Sequence, residues 1–201
     1  MARTLCQGCQ RPLINCICSF CVATENTFPI VILQHPKEVK HSKGSLPLLA
    51  NSLTQCQVII DENFTHNETL NDILASKQAF LLYPHEKALL LEDKNTVAKL
   101  NEQQSCLVLI DATWRKAYRM YMLSKNLHGL PKLQLPAGYR SLYTIRKTSV
   151  KNGLSTLEAC CYALSLLENN EDKYKALLEG FTRFNEQTLS FHHRGKNSKC
   201  S

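Results

Sequence analysis

Short apolar runs separated by amphipathic stretches dominate the chain from about residue 28 onward. Each run contains four to six residues, most of them apolar, which is the length of a buried strand. The strands predicted in the first half of the chain are 28–33, 57–60, 79–83 and 106–110. Between them, amphipathic or polar stretches predict helices at 45–53, 67–75 and 94–103. This alternation indicates βαβ units and therefore an α/β fold with a mostly parallel sheet.

The rest of the chain extends this pattern, whereas the first 25 residues do not share it. Helices are predicted at 114–124, 155–168 and 172–189, with a short strand at 131–136 and an irregular basic loop that ends at Gly153. Residues 1–25 are rich in cysteine and follow neither helical nor strand periodicity. We therefore expect a small Cys-rich segment, 1–25, and one larger domain, 26–201.

Polar residues directly follow three of the predicted strands. They are Gln34-His35-Pro36, Tyr83-Pro84-His85 and Asp111-Ala112-Thr113. Because ligands of open α/β sheets bind outside the carboxyl ends of the strands, these residues are candidates for one common site. The sequence has neither a Gly-rich phosphate loop nor a dinucleotide fingerprint, and it has only seven glycines. A bound cofactor is therefore expected to be held without a grip on a pyrophosphate.

The net charge of +7 belongs to one part of the chain. Residues 112–157 contain no Asp or Glu, and the remaining 15 basic and 17 acidic residues of the chain nearly balance. The nine basic residues of this segment are Arg115, Lys116, Arg119, Lys125, Lys132, Arg140, Arg146, Lys147 and Lys151. This asymmetry favours a polyanionic partner, most simply nucleic acid. The alternative is a solvated basic face that serves only solubility.

The cysteines divide into a clustered set and a scattered set. Cys6-x2-Cys9-x6-Cys16-x-Cys18 offers four thiolates within 13 residues, which suits a tetrahedral, structural Zn²⁺. Cys21 could replace Cys18, and the alternative is that these cysteines have no common ligand. The scattered cysteines Cys56, Cys106, Cys160 and Cys161 lie in apolar segments, where reduced thiols act as small hydrophobic groups, and Cys200 lies in a polar tail. No signal peptide or membrane-spanning run is recognised, so we expect reduced thiols and a cytoplasmic protein.

The turn after the most apolar strand, Asp111-Ala112-Thr113-Trp114, is the best candidate for a reaction centre. As an isolated feature, Asp111 would be interpreted as the N-cap of the helix that follows. Two further features favour a functional role. Trp114, the only tryptophan, can form an apolar wall with Ala117 at i+3, and a basic helix face begins with Arg115 and Arg119.

Two motifs further along the chain add to this picture. Ser155-x-x-Glu158 is a capping box before an apolar run, and this structural role alone would explain it. Just upstream, residues 140–147 interleave basic and aromatic side chains, which suits phosphate contact together with base stacking.

Taken together, the ordered motifs resemble the DTW-domain family of tRNA-uridine aminocarboxypropyltransferases. The matching pieces are Cys6–Cys18, His35-Pro36-Lys37-Glu38, Asp111-x-Thr-Trp-x-x-Ala117, Tyr143-x-Ile-Arg-Lys and Leu154–Ala159. The second position of the signature, often Gly in the family, is Ala112 here. The resemblance implies a SPOUT-like fold with a C-terminal trefoil knot. It also implies transfer of the 3-amino-3-carboxypropyl group of S-adenosylmethionine to N3 of a tRNA uridine, typically in the variable loop.

On this resemblance the residues receive expected roles. Asp111 is the expected base for the uridine N3 proton, with His35 as a second candidate. The residues expected to bind S-adenosylmethionine are Leu109, Asp111, Thr113, Trp114, Ala117, Ser155 and Thr156. Those expected to bind tRNA are Arg115, Arg119, Arg140, Tyr143, Arg146 and Lys147. The expected Zn²⁺ ligands are Cys6, Cys9, Cys16 and Cys18. A monomer without membrane contact is expected.

Two other functions agree with parts of the sequence. A non-catalytic zinc-ribbon RNA-binding protein would explain the cysteines and the basic segment but not the polar strand ends. A SPOUT-type RNA methyltransferase would share the fold and the cofactor and transfer the methyl group instead. Ribosomal RNA is an alternative acceptor.

Overall fold

A computed structural model describes residues 4–39, 44–93, 97, 100–141 and 153–197, the last seven of these as helix backbone alone. Its strands are β1 Ile30–Gln34, β2 Cys56–Ile60, β3 Gln78–Leu82, β4 Leu89–Leu90, β5 Ser105–Asp111 and β6 Lys132–Gln134. Its helices are α1 Leu46–Ala50, α2 Glu68–Ser76, α3 Trp114–Leu123, α4 Thr156–Leu167 and α5 Lys175–Asn197, with 3-10 turns between several of them.

The six strands form one sheet in the order β2-β1-β5-β3-β6-β4, and every neighbouring pair is parallel. The predicted α/β fold with a mostly parallel sheet is therefore confirmed. β5 and β1 are neighbouring interior strands, and their register pairs Gln34 with Asp111 at the carboxyl edge. Two of the three polar strand ends are thus brought side by side, as the pattern predicted.

Both faces of the sheet are buried, which explains the continuous apolar runs of the central strands. In β5, Leu107 and Leu109 face the core shared with α1, α4 and α5, while Cys106 and Val108 face the core beneath α2 and α3. Side chains of a strand alternate between its two faces, so two apolar layers require an apolar residue at every position.

Glu168, at the C-cap of α4, joins three segments at the border of the core that is shared by α1, α4 and α5. Its carboxylate accepts hydrogen bonds from the backbone N–H groups of Thr27 and Phe28, at 2.8 and 3.3 Å. It also accepts from Lys173 Nζ at 2.6 Å and Tyr174 Oη at 2.8 Å. Burial acts to raise the pKa of Glu168, but these hydrogen bonds outweigh it and leave the pKa below the usual glutamate range.

The Cys-rich segment packs on the last helix. Ile17 is buried in the core that is shared by α1, α4 and α5. The ring of Phe20 lies edge-on against Phe184 of α5, with centroids 5.9 Å apart. A Cβ added to Gly180 of α5 would lie 2.4 Å from the carbonyl oxygen of Phe20. The absence of a side chain at Gly180 therefore permits this close approach.

The structure differs from the predicted local structure at two places, and a third prediction falls on residues that it does not describe. The strand β4 was not predicted, because its two residues are exposed and too few to form a pattern. Residues 100–103, at the end of the predicted helix 94–103, are not helical, and most of the rest of that range lies outside the described residues. Residues 142–152, which make up most of the predicted basic loop, also lie outside them. None of the described helices has the length and hydropathy needed to cross a membrane.

Candidate active site and metal centre

The carboxylate of Asp111 joins three motifs at the carboxyl edge of the sheet. Its Oδ2 accepts a hydrogen bond from Gln34 Nε2 of β1 at 3.0 Å. Its Oδ1 accepts one from Thr156 Oγ1, the first residue of α4, at 2.6 Å. Because β1 and α4 lie far apart in sequence, the carboxylate is held by tertiary contacts on both oxygens.

The N-cap of α3 is Thr113, so the prediction that Asp111 is the N-cap residue is wrong. Asp111 is still the last residue of β5, and its carbonyl oxygen accepts a hydrogen bond from the backbone N–H of His35 at 3.2 Å. The side chain of Thr113 makes no capping hydrogen bond to the first turn of α3. The first-turn N–H groups of this helix, on residues 114–116, lie three to five residues beyond Asp111 and have no partner within the helix.

The start of α4 is fixed by a capping box, as predicted. Ser155 Oγ accepts from the backbone N–H of Glu158 at 3.2 Å, and Glu158 Oε2 accepts from the backbone N–H of Ser155 at 2.7 Å. The fully buried Glu158 carboxylate also accepts from Ser141 Oγ, at 3.0 Å to Oε2. Since Ser141 and Ser155 lie on either side of residues 142–152, one carboxylate joins the two described segments that flank these residues.

His35 is buried beside the Asp111 cluster, which consists of Asp111, Gln34 and Thr156. Both nitrogens of the His35 ring have protein partners. Nδ1 accepts a hydrogen bond from the backbone N–H of Lys37 at 3.0 Å. Nε2 lies 3.5 Å from Glu62 Oε1, which also accepts from Arg119 Nε at 2.8 Å. In the neutral ring, the proton therefore belongs on Nε2, facing Glu62. A catalytic role for His35 requires that a substrate replace Glu62 at Nε2.

The predicted cofactor residues of β5 and α3 differ in exposure. Leu109 and Ala117 are buried, so neither side chain is presented to solvent. Thr113 is exposed, and Trp114 keeps 44% of its surface exposed. Trp114 therefore lies at the border between the sheet edge and solvent.

Three of the predicted RNA-binding residues are exposed, and three lie outside the described residues. Arg115, Arg119 and Arg140 are exposed. The residues outside the description are Tyr143, Arg146 and Lys147. Arg119 is paired with Glu62, and the neighbouring Lys116 donates to Glu38 Oε1 at 2.7 Å. Two cations of the basic segment are therefore partly neutralised by the elements against which α3 packs.

The four predicted metal ligands form one cluster. The sulfur atoms of Cys6, Cys9, Cys16 and Cys18 all lie within 4.8 Å of one another. The distances are 3.6 Å from Cys6 to Cys18, 3.8 Å from Cys9 to Cys16, and 3.5 Å from Cys16 to Cys6. Four sulfurs around Zn²⁺ at about 2.3 Å would be separated by about 3.8 Å. The cluster therefore fits a tetrahedral thiolate site.

The thiols of the cluster differ in acidity. Hydrogen bonds from the backbone of Cys9 and Gly8, followed by contacts with Cys16 and Cys18, lower the pKa of Cys6 to about 6, whereas the contacts with Cys6 and Cys16 raise the pKa of Cys18. Cys21 Sγ contacts the carbonyl oxygen of Ile17 at 3.4 Å and is not one of the four clustered thiols. Cys18 is thus the fourth member of the cluster, which resolves the alternative left by the spacing.

The scattered cysteines follow the prediction made for them. Cys106, Cys160 and Cys161 are buried free thiols, and Cys56 is half-buried. Burial raises the pKa of Cys56 and of Cys106 to about 11. Thiols of this kind stay protonated at neutral pH and act as small apolar groups.

Sequence reasoning named Gln34 only as part of a strand end and did not assign Glu62 or Ser141. Gln34 is polar at the last position of an otherwise apolar, buried strand, and that signal could have marked it. Glu62 and Ser141 carry no local signal, because their contacts with His35, Arg119 and Glu158 are made between distant elements.

Comparison with known proteins gives one consistent result. A family model described as "DTW domain" matches residues 3–189. A Drosophila melanogaster protein named tRNA-uridine aminocarboxypropyltransferase 2 is 34% identical over 88% of this chain and 71% of its own length. A Macaca fascicularis protein of the same name is 31% identical over 88% of this chain and 60% of its own length. An Arabidopsis thaliana protein named tRNA-uridine aminocarboxypropyltransferase A is 26% identical over 93% of this chain and 83% of its own length. No solved structure matches.

Proposed function

This chain belongs to the DTW domain family, and we propose on that premise that it is a tRNA-uridine aminocarboxypropyltransferase. The family resemblance drawn from the motifs is thereby confirmed. The proposed reaction transfers the 3-amino-3-carboxypropyl group of S-adenosylmethionine to N3 of a uridine in the tRNA variable loop and releases methylthioadenosine. The chain spans 60 to 71% of the length of two animal relatives of that name, so the activity is proposed for the part that they share.

The observation that carries the proposal is the Asp111 cluster. Gln34, Asp111 and Thr156 come from three separate motifs of the sequence, and their side chains meet at one carboxylate. Their meeting point is the carboxyl edge of a parallel sheet, the usual ligand site of such folds. A hydrogen-bond network that fixes a partly exposed carboxylate there supports a reaction centre more than a purely structural joint.

The residues around this edge fit a sulfonium cofactor. When bound, S-adenosylmethionine supplies a carbon–sulfur bond that breaks with its electron pair passing to the sulfur. The carboxylate of Asp111 suits its positive charges, and the first-turn N–H groups of α3 suit its carboxylate. We propose that these groups bind it together with Thr113, Ser155, Thr156 and the backbone of Leu109. The covered part of the Trp114 ring, together with Ala117, would form the apolar wall for the methyl group that is not transferred, while the exposed 44% of the Trp114 surface would stay free of the cofactor.

The proton on uridine N3 must leave before that nitrogen can form a bond to carbon. We assign its removal to Asp111, because this carboxylate is partly exposed and lies at the carboxyl edge of the sheet, where ligands of such folds bind. The donors Gln34 and Thr156 keep its oxygens in place for the acceptor base. His35 remains the second candidate, through the Nε2 atom that faces Glu62.

The tRNA is proposed to bind the basic segment. Exposed Arg115, Arg119 and Arg140 would contact phosphates, and Arg146 and Lys147 are assigned the same role from the sequence, with Tyr143 assigned to base stacking. Substitution of any of these cations should reduce the salt dependence of binding by somewhat less than one unit of log K per log salt. An unchanged slope of log K against log salt in such a variant would indicate that the RNA binds another surface.

A structural Zn²⁺ is proposed for the four-cysteine cluster. Four thiolates complete its coordination, so this ion would hold the Cys-rich segment and take no part in the reaction. Its binding would supply the free energy that this segment needs to become ordered.

Further features of the proposal follow from the family resemblance. They are a SPOUT-like catalytic domain at 26–201 with a C-terminal trefoil knot, a separate zinc-binding segment at 1–25, a cytoplasmic location and a monomeric form. Small-angle scattering and sedimentation of the zinc-loaded protein test the last of these.

The deciding experiment uses the purified, zinc-loaded protein with an unmodified tRNA transcript and S-adenosylmethionine. Mass spectrometry of the digested RNA should find uridine that carries the aminocarboxypropyl group. A methylated nucleoside would instead identify a methyltransferase, and failure to bind S-adenosylmethionine in calorimetry would indicate a non-catalytic RNA-binding protein. Modification of ribosomal RNA in preference to tRNA would show that ribosomal RNA is the acceptor.

A further inference from the structure

A line of exposed aromatic and apolar side chains runs along the solvent side of α3. Trp114, Tyr118 and Met122 are 44%, 59% and 50% exposed, respectively. Residues four apart lie on one face of a helix, roughly 6 Å from one another, so the three form a continuous line, here named the α3 stripe. A contiguous exposed line of large apolar groups is typical of an interaction surface.

The surroundings of the α3 stripe specify the charge of its partner. Arg115 and Arg119 form the adjacent line on the same helix, and both are exposed. Residues 112–157 contain no acidic side chain at all. Arg119 is held by Glu62, whereas Arg115 makes no ion pair with the described residues. A partner that fits this surface carries negative charge and has flat, apolar faces, which is the chemistry of single-stranded nucleic acid.

The ring of Tyr118 remains available, unlike its aromatic neighbours. Tyr83 and Tyr121 stack on each other with centroids 5.1 Å apart, and Tyr121 also contacts the ring of His128 at 4.9 Å. No ring within the described residues stacks on Tyr118. The Tyr83–Tyr121 stack therefore anchors the inner side of α3, and the outer side presents unpaired ring faces.

The α3 stripe begins three residues after Asp111. A strand of RNA that lies along it would place the next nucleotide at the Asp111 carboxylate. We propose that unpaired bases next to the target uridine stack on Trp114, Tyr118 and Met122, so that the α3 stripe delivers the uridine to the reaction centre. This inference rests on the proposed function in taking tRNA as the substrate, and it adds the residues that select an unpaired, accessible uridine.

The only tryptophan of the chain reports on this contact directly. Trp114 starts the stripe, so titration of the zinc-loaded, cofactor-free protein with a short oligouridylate should quench its fluorescence. Tyr118→Ala should weaken binding of the oligouridylate roughly 5- to 150-fold, the usual effect of removing one stacking ring. Tyr118→Phe, which keeps the ring, should bind like the wild type.

Salt dependence separates stacking from charge. Tyr118→Ala should leave the slope of log K against log salt unchanged, because stacking releases no counterions. Arg115→Ala should reduce that slope by about 0.7, as expected for one phosphate contact on a single strand. Ile14→Ala serves as the matched control, since Ile14 is 72% exposed and lies in the Cys-rich segment away from the stripe; its affinity should not change.

Three outcomes would overturn the inference. The first is unchanged affinity of Tyr118→Ala. The second is an absence of quenching at saturating oligouridylate. The third is a concentration-dependent dimer of the wild type that Tyr118→Ala abolishes, which would make a second copy of the chain the occupant.

The same variants distinguish failure of this inference from failure of the proposed function. If the wild type modifies tRNA and Tyr118→Ala does so with an unchanged KM for tRNA, the stripe is wrong and the function stands. If oligouridylate binds as described but no modified nucleoside forms with any RNA, the function is wrong and the stripe stands.

Discussion

Substitution of Gly180 by alanine tests how the Cys-rich segment is held on the rest of the protein. The added Cβ would lie 2.4 Å from the carbonyl oxygen of Phe20, about 1 Å short of ordinary van der Waals contact. It would also meet Val22 Cγ2 at 3.7 Å, a normal contact. The obstacle is thus a single backbone atom, which cannot rotate away as the end of a side chain can.

The size of the effect follows from two opposing terms. Overpacking costs about 1–3 kcal/mol, and a backbone obstacle places this case near 3 kcal/mol. Alanine in place of glycine inside a helix gains about 1 kcal/mol. The net loss of unfolding free energy is therefore about 2 kcal/mol, which lowers the Tm of a chain of this size by about 4–8 °C.

Urea unfolding of the zinc-loaded protein, followed by far-UV circular dichroism, measures this loss. The midpoint should fall while the slope m stays the same, since the surface exposed on unfolding does not change. Gly129→Ala is the matched control, because a Cβ at Gly129 has no atom within 4 Å. That variant should keep the stability of the wild type.

The displacement should also loosen the T-shaped, edge-to-face contact between the rings of Phe20 and Phe184. The cysteines themselves are untouched, so any faster loss of zinc from Gly180→Ala would come through this contact. If Gly180→Ala proves as stable as Gly129→Ala and the wild type, the helix and the turn separate without cost. The inference that their close approach holds the segment would then be refuted.

Four other substitutions test the remaining parts of the structure. Asp111→Asn should lower the single-turnover rate by about 10²- to 10⁴-fold, with partial recovery at alkaline pH; a pH profile parallel to the wild type would exclude proton removal by Asp111. Thr156→Val, which removes the donor to Asp111 Oδ1, should slow the reaction roughly tenfold or more while leaving circular dichroism unchanged. Glu168→Gln should destabilise the protein by about 1–3 kcal/mol at neutral pH, measured by urea unfolding. Because the folded pKa of Glu168 is depressed, its stabilisation is complete above the unfolded value of about 4.3 and is lost as pH falls through the folded pKa, so the two proteins should converge in acid. Gly8→Ala, whose Cβ would lie 3.1 Å from Cys18 Sγ, should weaken zinc binding in competition with a chromophoric chelator, and an unchanged affinity would show that the thiolate moves aside freely.

The strands of the sheet centre could be predicted because each carries its own evidence. Every position of β5 from Cys106 to Leu109 is buried, so the residues on both faces of this strand are apolar and form a continuous apolar run in the sequence. Strand β4 has two exposed residues and is defined only by its pairing with β6. The composition of a segment does not show which distant segment it pairs with. The order of the strands in the sheet was unpredictable for the same reason.

The candidate site shows the same division between local and tertiary information. The capping box of Ser155 and Glu158 is local and was predicted from spacing alone. The hydrogen bond from Ser141 to Glu158 was not, because it depends on where the chain returns after the sheet. The metal cluster was accessible because all four of its cysteines lie within one short segment.

Asp111 shows why a local prediction can fail at a functional residue. Spacing suggested an N-cap, since the residue stands just before a helix, but β5 extends one residue further than the apolar run. Its backbone consequently stays in the sheet ladder beside His35, and Thr113 takes the cap position. The carboxylate is then turned to Gln34 and Thr156, which no local rule connects with it. The strand register thus converts an apparent capping residue into the junction of three motifs, and a change in any of the three acts on the same pair of oxygen atoms.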